Sequence, residues 1–155
     1  MIIGFRGGTF TGFSYNKKYN DGNMNDQPHL AATYTCLAIL KVCGYKFDNN
    51  YSRILSDLKL YQNKDGSISA QKWDTEHDPR FVYCACVIHK ILDVSNIGID
   101  KEKTVNYLLK CNGYEGGFSM DVGGESNGSY SFKNSWCYIL FSCIIIPFKW
   151  GEAPQ

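Results

Sequence analysis

The fold of this chain is constrained above all by an alternation between two kinds of helical pattern. Residues 29–42 (HLAATYTCLAILKV), 80–92 and 136–146 are apolar around nearly the whole circumference of a helix. A helix of that kind sits among other elements, not on a surface. Between them lie two amphipathic stretches. Residues 51–61 (YSRILSDLKLY) place Ile54, Leu55, Leu58 and Tyr61 on one stripe, with Ser56, Asp57 and Lys59 elsewhere. Residues 101–109, capped by Asp100, carry Val105, Leu108 and Leu109. Inner, outer, inner, outer, inner is the order. The turns repeat as well, since Gly4-Phe5, Ser67-Ile68 and Gly117-Phe118 each set a small residue before an apolar anchor. An aromatic with a following cysteine recurs at Tyr34-Thr35-Cys36, Tyr83-Cys84 and Trp136-Cys137, the aromatics 49 and 53 residues apart. A period near 50 with one outer and one inner helix predicts a stacked α-hairpin array. The expected fold is all-α: part of an α/α toroid, or barrel, whose inner helices line a central cavity. Chance similarity among unrelated helices is the alternative.

One inner helix poses a chemical question. Asp78-Pro79 is a good helix start, an acceptor at the N-cap and a ring already fixed at helical φ. Arg80 follows, and then an apolar run from Phe81 to Ile88. Arg80, Tyr83 and Val87 share one face at i, i+3 and i+7. An arginine buried without a partner is costly, so Arg80 must meet an anion, water or a ligand. A toroid's hollow would supply that ligand. A helix-end ion pair for Arg80 and a core position for Tyr83 form the plainer alternative.

Composition narrows the remaining classes. The 155-residue chain carries 16 Lys and Arg against 15 Asp and Glu, which gives no field suited to a polyanion. No nucleic-acid partner is expected. The seven cysteines follow no secretory leader, and Cys84 and Cys86 point to nearly opposite sides of a helix. They read as reduced, buried thiols of an intracellular protein. The longest apolar run, 136–147, is broken by Pro147 and falls short of the roughly 20 residues of a membrane span. No span is expected.

Five motifs stand in order: GFRGG at 4–8, HLAATYT at 29–35, DGSIS at 65–69, RFVYCA at 80–85 and GGES at 123–126. With their spacing they resemble the β subunit of protein prenyltransferases over roughly residues 4–128. The RFVYCA wording and the GFRG turn are most similar to the type I geranylgeranyltransferases. The resemblance implies a partial toroid over residues 1–148, leaving 149–155 as an unassigned tail. It implies a heterodimer with a helical-repeat α subunit in the cytoplasm. It also implies transfer of a geranylgeranyl group from geranylgeranyl diphosphate to the cysteine of a C-terminal CaaX box, in proteins such as small GTPases. Zinc is the family's cofactor and holds the incoming thiol as thiolate, the reactive form. Carried over residue by residue, Arg80 matches the arginine near the peptide carboxylate, and its fork suits a planar anion. Tyr83 matches an aromatic of the lipid and peptide channel.

The chain also departs from the family. Where relatives read Glu-Ser/Ala-His-Gly-Gly, this sequence has Glu125-Ser126-Asn127-Gly128-Ser129. Asn127 and Gly128 are the candidate diphosphate-binding residues here, yet Asn127 donates hydrogen bonds without positive charge. About eight extra residues, SYSFKNSW, precede the next cysteine, Cys137. The family's D-x-C zinc motif does not occur, and His29, His77 and His89 read as structural or solvated. No catalytic residue and no metal ligand are assigned. Arg6, Arg80 and Lys133, near inner-helix starts, are the cations expected at the cavity mouth. The chain looks like the middle of a toroid, as a truncated gene model or a retained intron would leave it. Its terminal helices would then lack partners, and poor stability in isolation is expected.

The alternative function is a non-catalytic, shortened β-like chain that binds an α subunit or a prenyl lipid. A terpene cyclase would need an aspartate cluster such as DxDD, which is absent. A glycosidase would need two facing carboxylates at the cavity. Acidic residues here fall mainly in expected loops and on outer helices.

Overall fold

The computed structural model describes residues 4–7, 27–49, 51–72, 76–93 and 98–128. Four helices follow in chain order: α1 (Leu30–Val42), α2 (Ser52–Asp57, extended by a 3₁₀ turn over Leu58–Leu60), α3 (Pro79–Leu92) and α4 (Lys101–Lys110). The apolar stretch at 136–146, with Lys133, Cys137 and the tail, lies outside the described residues.

Local chemistry sets these boundaries. His29 starts α1, its Nδ1 accepting from the Ala31 amide at 3.1 Å. Gly44, at φ 80°, ends it, as a glycine in the left-handed region does. Asp78 caps α3 with Pro79 in the first turn, and Asp100 accepts from the Lys103 amide at the head of α4. The expected starts hold.

Helices α1 and α3 pack side by side as the inner pair. Leu30, Thr33 and Leu37 of α1 are buried, as are Phe81, Val82, Ala85 and Ile88 of α3. From the outer layer, α2 and its 3₁₀ turn bury Ile54, Leu55 and Leu58, and Tyr61 follows them. That is the stripe expected from sequence. In α4 the stripe is rotated: Thr104, Tyr107 and Leu108 are buried, Val105 is half-buried and Leu109 is exposed. The cause is Thr104. Its hydroxyl donates to the Asp100 carbonyl at 3.1 Å and accepts from Gln62 Nε2 at 2.9 Å, which turns this polar residue inward.

The turns repeat in atomic detail. In the first, the Asn63 amide donates to the Ser67 carbonyl and the Gly66 amide to the Asn63 carbonyl. In the second, Gly113 and Gly116 make the same two bonds with Gly117 and Gly113. Isolated antiparallel bridges tie each turn together: Gln62 with Ile68 and Ser69 with His77, then Asn112 with Phe118 and Ser119 with Ser126. Burial pushes the Asp65 carboxyl up, but the hydroxyl and amide of Ser67 outweigh it and hold the group below its usual value.

The cysteines need one correction. Cys84, Cys86 and Cys111 are buried and Cys36 is half-buried, but Cys43 is exposed, because it caps the C-terminus of α1 where the chain leaves the core. Among the described residues none is in a disulfide.

Candidate substrate-binding face of α3

Arg80, Tyr83 and Val87 are the half-buried residues of an otherwise enclosed run, since Phe81, Val82, Cys84, Ala85, Cys86, Ile88 and His89 are all buried. The shared face anticipated from spacing is therefore the open side of the helix. Tyr83 meets Tyr34 of α1 edge to face, with ring centroids 5.9 Å apart. Below them His29 and Phe81 pair in the same manner, also at 5.9 Å. The two inner helices are thus joined by two aromatic pairs, one at the half-buried Tyr83 and one at the buried Phe81.

The anion that the helix head requires is an internal one. Asp78, 1% exposed, receives Arg80 Nε on both carboxylate oxygens at 2.9 Å and Nη2 on Oδ2. Its Oδ1 also accepts from the Arg80 amide at 2.8 Å, so one carboxylate caps the helix and holds the side chain. Glu76, with a 54% exposed side chain, accepts a further bond from Nη2 at 3.0 Å. The guanidinium carbon lies 5.5 Å from the centre of the Phe81 ring. Arg80 is held in one place. The plainer sequence alternative, a helix-end ion pair, is present, and it fixes the residue on the open face.

Asn127 and Gly128 stand apart from this pair, at the head of the next helix. The Asn127 amide donates to the Phe118 carbonyl at 2.9 Å, as the His29 amide does to the Phe5 carbonyl at 3.0 Å. His29, Asp78 and Asn127 are spaced 49 residues apart, which makes Asn127 the capping position of its repeat. Both Asn127 and Gly128 are exposed.

Sequence reasoning treated Asp78 only as a cap and did not single out Glu76. The signal was available: an N-cap acid two residues before an arginine lets one carboxylate reach both the amide and the guanidinium. Tyr34 was noted as part of a repeat and not as a lining residue.

The described residues do not fit the family's zinc. Among them no group of three His, Cys, Asp or Glu side chains could hold a metal ion. His29 uses Nδ1 as a cap, His77 lies in the bridge with Ser69, and His89 is buried on the side away from Arg80. Cys111 is fully buried against Tyr107; burial raises its pKa, the bond with Tyr107 only partly offsets this, and the thiol stays protonated. Such a thiol is a poor nucleophile.

Helices in alternating layers and glycine turns repeated at the same spacing define an α/α toroid. The family described as the prenyltransferase alpha-alpha toroid domain matches residues 2–142, and the chain belongs to it. It is 40% identical over 133 residues to the geranylgeranyl transferase type-1 subunit beta of Arabidopsis thaliana, covering 84% of this chain and 34% of that protein. To the subunit of the same name from Dictyostelium discoideum it is 31% identical over 137 residues, covering 83% of this chain and 39% of that one. It therefore spans little more than a third of these curated relatives. The solved Candida albicans protein geranylgeranyltransferase-I complexed with GGPP shares the fold, with a TM-score of 0.68 at 23% identity over 76% of this chain and 36% of that one.

Proposed function

We propose that this chain is the β-subunit-like part of a protein geranylgeranyltransferase. The whole protein would transfer a geranylgeranyl group from geranylgeranyl diphosphate to the cysteine of a C-terminal CaaX motif. The observation that carries this reading is the open face of α3. There a clamped arginine and a Tyr34–Tyr83 aromatic pair lie side by side in a chain similar to type-1 β subunits. In this reading the aromatics contact apolar substrate and Arg80 holds the peptide's terminal carboxylate. Asp78 keeps the guanidinium fork from swinging. Asn127 and Gly128 donate to the diphosphate as neutral groups, more weakly than a cation would. Zinc, when bound to the whole protein, would hold the peptide cysteine as thiolate, and no residue of this chain is assigned as its ligand. The partners are an α subunit in a cytoplasmic heterodimer and CaaX proteins such as small GTPases. No described helix is long and apolar enough to cross a membrane. A non-catalytic chain that binds an α subunit or a prenyl lipid is the second reading, favoured by neutral Asn127 where the family resemblance places a diphosphate-binding histidine.

The test is transfer from labelled geranylgeranyl diphosphate to a CaaX peptide, using the product of the end-to-end sequenced transcript co-expressed with an α subunit. Activity is expected. Arg80→Ala should raise KM for a peptide acid about tenfold or more, the scale of a charged hydrogen bond, and leave a C-terminally amidated peptide unaffected. Equal loss for acid and amide would remove Arg80 from the carboxylate role. If the native protein shows no transfer but retains the lipid or the α subunit, the second reading replaces the first.

A further inference from the structure

Two Asn-Gly pairs occur in the sequence, Asn112-Gly113 and Asn127-Gly128. Glycine has no Cβ to shield its nitrogen, so the amide that follows the asparagine can reach the side-chain carbonyl carbon. Attack there closes a five-membered succinimide and expels ammonia, which carries off the amide proton. Water then opens the ring at either carbonyl and leaves aspartate or isoaspartate. No oxidant or cofactor enters. Both asparagines are exposed, so water reaches both. The attacking amide is what separates them.

At Gly113 that amide is engaged. It donates to the Gly117 carbonyl at 2.8 Å, and the Asn112 amide donates to the Leu109 carbonyl at 3.2 Å. Asn112 is also bridged to Phe118, and a Cβ at Gly113 would lie 2.6 Å from Ser126 Oγ. Ring closure there requires the turn to open. Gly128, by contrast, is the first residue of its helix, where an amide has no intrahelical acceptor. The two earlier capping residues fold their side chains back over this position. His29 Nδ1 accepts from the Ala31 amide at 3.1 Å and Asp78 Oδ1 from the Arg80 amide at 2.8 Å, each two residues on. A cap of the same kind at Asn127 carries its carbonyl carbon across the Gly128 nitrogen. From this contrast we propose that Asn127 deamidates spontaneously in the folded chain while Asn112 is protected. Aspartate caps a helix as well as asparagine does, so that product keeps the fold and changes the charge. A neutral donor becomes an anion. In the diphosphate reading of Asn127, on which only this consequence rests, the product repels its ligand.

The full chain is aged at neutral pH in buffer and, in parallel, in urea that unfolds it. Cleavage after Glu115 and Glu125 puts each asparagine in its own peptide, and mass spectrometry reads the exchange of ammonia for water. In buffer Asn127 should react at least about tenfold faster than Asn112, because reaction at Asn112 needs local opening. In urea the two rates should converge. Gly128→Ala, whose methyl group meets nothing within 4 Å among the described residues, should slow the reaction at Asn127 and leave Asn112 unchanged. Three outcomes overturn the proposal: equal rates in buffer, a slower rate at Asn127 than at Asn112, or a rate at Asn127 that Gly128→Ala does not lower. Undiminished binding of geranylgeranyl diphosphate by an Asn127→Asp variant, measured with the α subunit present, overturns the diphosphate consequence and leaves the modification standing.

Discussion

At the scale of single residues, Asp78 is the side chain on which the candidate site depends most. It is buried, it caps α3 and it receives two nitrogens of Arg80. Losing a cap costs about 1 kcal/mol. Losing the clamp adds less than a buried ion pair would, because the Arg80 side chain is 38% exposed and water replaces part of the interaction. Asp78→Ala should therefore destabilise the chain by about 2 kcal/mol, and Asp78→Ser, which still caps, by about 1 kcal/mol. Urea denaturation separates the two. Equal losses would mean that the clamp on Arg80 and not the cap carries the contribution, and a serine variant as stable as the parent would mean that the carboxylate acts only as a cap. The candidate face was legible in sequence because i, i+3 and i+7 spacing is a property of the helix alone. The partner of Arg80 was not, because choosing among internal anion, water and ligand requires the rotamer of Arg80.

At the scale of elements, the helix ends show where local rules were followed and where tertiary structure overrode them. Helix α3 ends on Asp93 at φ 51°, the one described non-glycine residue in the left-handed region. A side chain there strains the backbone by about 1 kcal/mol relative to glycine, and a carboxylate faces the negative end of the helix dipole. Asp93→Gly should stabilise the protein by about 0.5–1 kcal/mol, the strain relieved less the entropy glycine loses on folding. Asp93→Asn should recover a smaller part. Thermal unfolding of the three proteins orders them Gly, Asn, Asp. A glycine variant no more stable than the parent would show that the Asp93 side chain makes a compensating contact. The starts of α1, α3 and α4 were readable because caps are local. The rotation of α4 was not, since it depends on Gln62, which lies 42 residues from Thr104 in the chain.

At the scale of the whole molecule, the inner pair is covered unequally. Helix α3 is enclosed on most sides, whereas in α1 only Leu30, Thr33 and Leu37 are fully buried among the described residues. Ala31 and Tyr34 are half-buried against the core, while Ile39 is 56% and Val42 89% exposed. The pattern of residues 29–42 promised a helix buried all round, and the described residues bury one stripe of it. A stacked array has this property at its ends, because each repeat contacts only its neighbours. The imbalance makes a quantitative prediction about α1. Leu37→Ala removes a fully buried side chain and should cost about 2–5 kcal/mol. Ile39→Lys and Val42→Glu alter the open face and should each change stability by no more than about 0.5 kcal/mol, while making the chain less prone to self-association. Denaturation midpoints at several protein concentrations distinguish the effects, since self-association makes the midpoint depend on concentration. If Val42→Glu instead costs as much as Leu37→Ala at every concentration, the face is covered within the monomer. Its apolar residues would then belong to the core and not to an unfinished edge of the toroid.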